Sequence, residues 1–197
     1  MSPPDRAVPQ LYPLFLNLRD KPVLVVGAGV VGEHKILALL EAGARVRVVA
    51  PMATDSLKAL AEAGRIQWEK RAFVEADVEG AWLVIAATSD PVAQRSAASA
   101  AAGHRVFAVA VDDPANSSAF AGAVVSRPPM LVAISSSGAS PALSRLVREL
   151  LEHLLPSEDW IRHARRLRIE WRRDGLPLGE RFGRLVRDFA LRRGMIL

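Results

Sequence analysis

The stretch that decides the fold is residues 23–32, Val-Leu-Val-Val-Gly-Ala-Gly-Val-Val-Gly. A run of four apolar residues between Pro22 and Gly27 is typical of a buried parallel strand. Three glycines follow with the spacing of the dinucleotide-binding fingerprint, and they open a predicted helix over residues 32–42. The stretch therefore predicts a strand, a tight turn and a helix.

Each glycine of this loop has a distinct expected role. Gly27 would permit the tight turn, Gly29 would let the backbone approach a pyrophosphate, and Gly32 would allow close packing of helix on strand. The pyrophosphate would lie at the helix N-terminus, where unpaired N–H groups favour anions. A tight turn without a ligand is one alternative, and an FAD or S-adenosylmethionine site is another.

One part of the fingerprint is missing. An acidic residue is expected about 20 positions after the glycines, to hold the ribose 2′-hydroxyl. The second predicted strand, over residues 45–50, ends instead in Ala50-Pro51-Met52. Arg45 and Arg47 lie before and within that strand, so they are poor candidates to bind a 2′-phosphate. The choice between NAD and NADP stays open at this point.

Strands alternate with helices through the first 112 residues. After the first strand and helix, strands are predicted over 45–50, 66–70, 82–87 and 106–111, and helices over 54–63 and 92–102. This alternation is the signature of an α/β fold of the Rossmann type, with a doubly wound parallel sheet.

The pattern changes after Asp112. A strand is predicted over 130–135, then an amphipathic helix over 141–155 that Pro156 would end, then two Arg-rich helices broken near residues 175–177. We expect a Rossmann domain over 1–113, a small α/β dimerisation module over 114–155 and a helical region over 156–197. The helix over 141–155 has an apolar face too large for this module to cover, which favours a homodimer. That face comprises Leu143, Leu146, Leu150 and Leu154.

Composition excludes several classes of site. The 197 residues include no cysteine, which rules out disulfides, thiolate nucleophiles and cysteine-ligated metals and suits a reducing cytoplasm. The four histidines have no metal-ligand spacing, so no resident metal is expected. We find no signal peptide and no apolar stretch near 20 residues, so a cytoplasmic protein without a membrane span is expected.

Basic residues concentrate near the C-terminus. The net charge is +5, and eleven arginines lie between residues 162 and 193. Such a segment could meet nucleic acid, an anionic membrane or an acidic substrate, or it could be a solvated helix face. Its aromatics are expected to be core anchors, so no nucleic acid is predicted as a partner. They are Trp160, Trp171, Phe182 and Phe189.

Four further stretches, taken in order, resemble a known family. They are Leu11-Tyr12-Pro13-Leu14-Phe15 with Leu18-Arg19, then residues 25–35, then Ala86-Ala87-Thr88-Ser89-Asp90, then residues 111–114 with Ser135-Ser136-Ser137-Gly138-Ala139-Ser140-Pro141. The set is similar to the precorrin-2 dehydrogenase/sirohydrochlorin ferrochelatase family, the N-terminal module of sirohaem synthases. The chain departs from the family at Glu33-His34, Gln94 and Gly122.

The resemblance implies a cofactor and an activity. The cofactor is NAD, and the activity is oxidation of the tetrapyrrole precorrin-2 to sirohydrochlorin in sirohaem biosynthesis. A second activity, insertion of ferrous ion with iron as a substrate, stays open. The alternative is an enzyme that only dehydrogenates and leaves iron insertion to a separate chelatase. A non-catalytic NAD(H)-sensing or nucleic-acid-binding regulator is a remote alternative. By resemblance, the cofactor site comprises Val30, Val31, Pro51, Met52 and Thr88 in addition to the glycines.

The family's key carboxylate falls on Asp112, at the end of a predicted strand. Dehydrogenation removes a hydride and a proton, so a base is needed beside the nicotinamide, and Asp112 is the candidate. An Asx-turn role is the alternative for Asp112, whereas Asp113 is expected to be the turn residue.

Substrate carboxylates are expected at the serine-rich loop before residue 141. Ser136 matches a serine at the family's active-site cleft, and Ser137 and Ser140 add hydroxyl and N–H donors. Arg145 is also a candidate for the substrate, although a solvent-facing role for it and Arg148 stays open. Ser140 is expected to cap the following helix as well.

Overall fold

A computed structural model describes residues 10–137, 140–155 and 157–193. The chain divides into two units: one runs through Ala121 and includes residue 137, and the other comprises Gly122–Ser136 and the residues from 140 onward. The three-part division at residues 113 and 155 stays a prediction. Some positions named above lie outside the described residues, namely Gly138, Ala139 and Pro156.

The first unit is built on a five-stranded parallel sheet in the order β3-β2-β1-β4-β5. Its strands are β1 Pro22–Ala28, β2 Arg45–Ala53, β3 Gln67–Glu69, β4 Leu83–Ala86 and β5 Phe107–Ala110. Its helices are α1 Val30–Glu41, α2 Asp55–Glu62 and α3 Pro91–Gly103, with short 3₁₀ helices at Glu75–Val78 and Pro114–Asn116. The predicted Rossmann-type sheet is confirmed. The strand order reverses between β1 and β4, which is where such sheets bind ligands.

Both faces of this sheet are covered, which explains why β1 is apolar at every position. Val23 and Val25 join one buried cluster with Ile36 of α1. Leu24 and Val26 point to the opposite face and join a second cluster with Ala97 of α3. A parallel strand buried on both sides reads as a continuous hydrophobic run rather than an alternating one.

Strand β2 does not end at Pro51, so that expectation is wrong. Val26 pairs with Val49 and Ala28 with Ala53, so Gly27 alone lies opposite three residues of β2. The chain bulges at Pro51 and then resumes pairing. Proline has no N–H to donate to a ladder, and a bulge is one of the few places in a sheet where that costs nothing.

The second unit combines an antiparallel hairpin with three helices. The hairpin is β6 Ala123–Arg127 and β7 Met130–Ile134, and the helices are α4 Pro141–Leu154, α5 Glu158–Arg173 and α6 Leu178–Arg193. The strand, the amphipathic helix and the two Arg-rich helices confirm the predicted elements. The expectation that all four aromatics are core anchors is wrong for Phe182, which is 75% exposed. No helix among the described residues is long and apolar enough to span a membrane.

A charged network lies at the edge of the first unit's sheet. Asp77 is 4% exposed, and its carboxylate accepts hydrogen bonds from Arg71 at 2.8 and 2.5 Å and from Arg47 at 3.2 Å. Arg47 also bonds Glu69 at 3.0 Å. The network therefore ties β2 and β3 to the 3₁₀ helix that contains Asp77. The hydrogen bond from Arg71 is the main reason that the pKa of Asp77 is lowered to about 2.

We expect Asp77→Asn to lower the free energy of unfolding by about 2 kcal/mol at neutral pH, because the folded state binds the ionised carboxylate more favourably than the unfolded chain does. A lowered pKa stabilises above the unfolded value, so the wild-type contribution should be complete above pH 4 and lost as pH falls toward 2. Urea unfolding measured across pH 2–7 tests this. Asp55→Asn is the control, since Asp55 is exposed and paired only with Lys58. Parallel pH profiles for wild type and Asp77→Asn would contradict the expectation.

Candidate functional site

A cavity of about 750 Å³ lies at the carboxyl ends of the parallel strands in the first unit. Its wall is mostly backbone and apolar side chains, and Asp112 is the one ionisable residue among the described residues that line it. The lining residues are Gly27, Ala28, Gly29, Val30, Val31, Ala50, Pro51, Met52, Ala53, Thr54, Ala87, Thr88, Ser89, Val111 and Asp112. The structure thus brings together Asp112 and all but one of the residues predicted to hold a cofactor.

The exception is Gly32, which is buried beneath the loop. A Cβ at Gly32 would lie 2.5 Å from the Gly27 carbonyl oxygen, and a Cβ at Gly27 would lie 2.5 Å from the Ala87 carbonyl oxygen. Gly27 also has φ +101°, a conformation that L side chains rarely adopt. The tight turn at Gly27 and the close helix–strand packing at Gly32 are therefore both present.

Gly29 differs from its two neighbours because it faces open space. Apart from Gly29 itself and its two chain neighbours, no described atom lies within 4 Å of the position that its Cβ would occupy, and Gly29 is the N-cap residue of α1. The first turn of a helix has N–H groups without intrahelical partners, and Gly29, Val30 and Val31 at this N-terminus line the cavity. Because Gly29 has no side chain and lies at a helix N-terminus, the pyrophosphate of a dinucleotide can approach the backbone here.

Apolar side chains form the rim on either side of the loop. Val30 is 67% exposed, Val31 48% and Met52 81%. Met52 reaches this position because the bulge in β2 lies opposite Gly27. Exposed apolar groups around a concave surface are typical of sites for flat ring systems.

Asp112 lies two residues after the end of β5 and has φ +58°. Its side chain is exposed and makes no hydrogen bond with the described part of the chain. The turn bonds come from Asp113, whose carboxylate accepts from the Asn116 N–H at 3.3 Å and from the Asn116 side chain at 2.6 Å. The prediction that Asp113 is the turn residue is confirmed, and the Asp112 carboxylate is left without a structural partner there.

Gln94 of α3 fixes the backbone next to Asp112. Its side-chain amide donates to the Val111 carbonyl at 2.7 Å and to the Ala86 carbonyl at 3.3 Å, which joins the ends of β5 and β4. Sequence reasoning noted Gln94 only as a departure from the family. The available signal was a long polar side chain within an otherwise alanine-rich helix.

Glu33 is a second residue whose contact the sequence did not reveal. Thr54 lines the cavity just after β2, and its hydroxyl donates to the Glu33 carboxylate at 2.5 Å. Hydrogen bonds from Thr54 and then from Ser56 lower the pKa of Glu33. The only signal in the sequence was the acidic residue directly after the third glycine.

The predicted substrate residues Ser136, Ser140 and Arg145 belong to the second unit. The Ser136 hydroxyl donates to the Ser140 carbonyl at 3.0 Å and accepts from the Ser140 N–H at 3.1 Å, so it closes the loop on itself. Ser140 caps α4, as predicted, by accepting from the Leu143 N–H. Ser137 has φ +53°. Arg145 is exposed and paired with Glu149 at 2.9 Å.

Comparison with known proteins identifies the first unit. A family model described as putative NAD(P)-binding matches residues 14–123, which is more than half of the chain. The chain belongs to this NAD(P)-binding family. A second model, described as the sirohaem biosynthesis protein central domain, matches residues 129–154. The two matches, in this order, confirm the resemblance that the sequence motifs indicated.

Relatives of this NAD(P)-binding chain are named siroheme synthases. The chain is 46% identical to one from Aeromonas salmonicida over 144 residues and 46% identical to one from Xylella fastidiosa over 151 residues. These alignments cover 73% and 76% of this chain but 31% and 32% of the relatives. The chain therefore spans about a third of the length of the relatives that it matches.

The fold is also that of a solved structure. The protein described as SirC, precorrin-2 dehydrogenase, superposes with a TM-score of 0.73 at 21% sequence identity, covering 90% of this chain and 88% of that one. At this identity the likeness establishes the shared fold.

Within the described ranges, no group of three or more potential ligands is arranged to hold a metal ion. His163 is instead hydrogen-bonded to Asp188 at 2.6 Å between α5 and α6.

Proposed function

We propose that this chain uses NAD to oxidise precorrin-2 to sirohydrochlorin. The observation that carries the proposal is the cavity, in which a glycine-built opening at a helix N-terminus and the Asp112 carboxylate line the same wall. The names of the siroheme synthase relatives and of the SirC precorrin-2 dehydrogenase supply the substrate class. The reaction is assigned to the cytoplasm, since a chain without cysteine suits a reducing compartment.

The residues fit a dinucleotide in the following way. The backbone at Gly29 and the first turn of α1 would bind the pyrophosphate, and Val30, Val31 and Met52 would contact the ring systems. Thr88 lines the cavity at the end of β4 and would contribute its hydroxyl. When bound, NAD supplies the hydride acceptor of the reaction.

Asp112 would take the proton. Oxidation of precorrin-2 breaks a C–H bond and removes two electrons as hydride, and the second hydrogen leaves as a proton. The Asp112 carboxylate is exposed and hydrogen-bonded to nothing in the described chain, so no existing contact must be broken for it to accept that proton. The Gln94 amide holds the carbonyl of Val111, the residue before Asp112, and this restricts the movement of the Asp112 backbone and hence of its carboxylate.

Polar groups of the second unit would bind substrate carboxylates. The tetrapyrrole carries eight carboxylates, and Arg145 offers a guanidinium that is 78% exposed. Ser136 and Ser140 belong to the same unit, and we assign them and Ser137 to the substrate as well.

Ferrous-ion insertion is a further candidate activity for the same site. Insertion strips two pyrrole protons, and Asp112 would accept them one at a time and release each to solvent. Iron would then be a substrate.

We further propose that the protein works as a homodimer. Leu143, Leu146, Leu150 and Leu154 form one face of α4, and each is more than half exposed. Such a contiguous apolar stripe favours burial against an identical stripe through an isologous contact.

The dimer prediction is that Leu146→Asp with Leu150→Asp converts the protein to a monomer, because two charges cannot be buried in an apolar interface without partners. Light scattering at micromolar concentration measures this. Val92→Asp is the matched control: Val92 is 65% exposed in the first turn of α3, where an acidic residue is tolerated. A wild-type monomer under these conditions would rule the dimer out.

The cofactor prediction is that Gly29→Val raises the Kd for NAD at least about tenfold, because the branched side chain fills the opening that the pyrophosphate needs. Folding should survive, since Gly29 has φ −80° and ψ −174°, which valine adopts readily. Calorimetry with NAD measures the Kd. Gly103→Val, at the far end of α3 with open space around it, is the control. Unchanged NAD affinity in Gly29→Val would refute this placement.

The catalytic prediction is that Asp112→Asn lowers anaerobic sirohydrochlorin formation by ~10²–10⁴-fold, the range typical of a lost general base. Asparagine tolerates a positive φ, so the thermal midpoint should stay close to that of wild type. Absorbance after incubation with precorrin-2 and NAD, with and without ferrous ion, reports both proposed activities.

Asp113→Ala provides the contrast in the same assay. It removes the bonds to Asn116, so stability should fall by about 1 kcal/mol while the folded fraction keeps its turnover. An Asp112→Asn enzyme that is destabilised but fully active would sink the catalytic assignment.

A further inference from the structure

Glu33 places a negative charge next to the cavity, and this charge comes from helix α1, not from the end of strand β2. It lies in the first turn of α1, and its carboxylate accepts the Thr54 hydroxyl at 2.5 Å. Thr54 is part of the cavity wall, and its N–H donates to the Ala28 carbonyl at 3.1 Å. The carboxylate is therefore one hydrogen bond away from the wall, close to the glycine loop.

Thr54 follows β2, the strand whose end normally carries the acidic residue that meets the ribose. Here the strand supplies Pro51, Met52 and Ala53 at that end. The bulge brings the chain back beside Ala28 before Thr54, so the hydroxyl reaches α1. The end of β2 lacks an acidic residue, but the Glu33 carboxylate of α1 lies close to that end through its hydrogen bond with Thr54.

In the described part of the chain no lysine or arginine forms a salt bridge with this charge, and the neighbouring His34 acts on it only by a Coulombic contribution that also lowers its pKa. Hydrogen bonds from Thr54 and Ser56 lower the pKa of Glu33, so it is ionised at neutral pH. The described residues that line the cavity include no lysine or arginine. Arg47 is held by Glu69 and Asp77, and Lys58 is paired with Asp55 at 2.7 Å.

We infer that Glu33 determines cofactor specificity by disfavouring NADP. The inference rests on the proposed function, because it concerns which nicotinamide dinucleotide the same cavity accepts. NADP differs from NAD by a 2′-phosphate that carries about −1.5 to −2 charges at pH 7. Near the end of β2 that phosphate would meet the Glu33 carboxylate and no cation among the described lining residues, whereas the neutral 2′-hydroxyl of NAD would meet no repulsion.

The test compares the Kd values of NAD and NADP by calorimetry for wild type and Glu33→Gln, which keeps the shape of the side chain and removes its charge. We expect the ratio of the NADP Kd to the NAD Kd to fall about tenfold at low salt, the size expected of a charge acting near a protein surface. The fall should shrink as ionic strength rises from about 0.05 to 0.5 M, because salt screens the repulsion.

Glu62→Gln is the matched control. It removes the same charge from the opposite end of α2, an eight-residue helix about 12 Å long. That length exceeds the screening length of about 8 Å at physiological salt, so the two variants are compared at that salt concentration. Its ratio should equal that of wild type.

Three results would overturn the inference while leaving the proposed function standing. The first is that wild type binds NAD but Glu33→Gln has the same ratio of NADP Kd to NAD Kd as wild type. The second is a fall in the ratio that is equal at all salt concentrations, and the third is the same fall in Glu62→Gln. If wild type binds neither dinucleotide, the proposed function itself fails, and the inference fails with it.

Discussion

Three backbone segments meet at Gly27 without space for a side chain, and the rest of the site depends on that contact. A Cβ at Gly27 would collide with the Ala87 carbonyl oxygen, and a Cβ at Gly32 would collide with the Gly27 carbonyl oxygen. The end of β1, the end of β4 and the start of α1 are therefore held at fixed separations by atoms that cannot move independently. The opening at Gly29 has its shape because the two other glycines close the space beneath it.

The polar groups around this opening come from elements that the glycine contact does not control. Asp112 follows β5 and depends on Gln94, which bonds the preceding carbonyl from α3. Glu33 acts through Thr54, which the bulge in β2 returns to the wall. The cavity thus combines a rigid, largely neutral backbone cradle with two carboxylates whose positions are set separately. Such an arrangement lets single residues tune chemistry or specificity while the cradle stays unchanged.

Local patterns in the sequence predicted most of the fold because its determinants are local. The apolar run of β1, the glycine spacing and the leucine periodicity of α4 each lie within a few turns of chain. Pro51 was misread because its missing N–H suggests a strand end, and only the pairing with β1 reveals a bulge. The contacts of Gln94 and Glu33 could not be read, since their partners lie 17 and 21 residues away. Phe182 was misassigned because a periodic pattern does not show what covers a helix face.

The backbone at Asp112 carries a separate argument about that residue. A φ of +58° costs free energy for any residue with a Cβ, and glycine would remove that cost. The turn itself does not require the Asp112 side chain, since Asp113 makes the hydrogen bonds to Asn116. The Asp112 side chain therefore does not stabilise the fold at this position, because it strains the backbone and bonds to none of the described residues. The strain is better explained by the cavity, because this conformation places Asp112 in its lining, where no other described residue is ionisable.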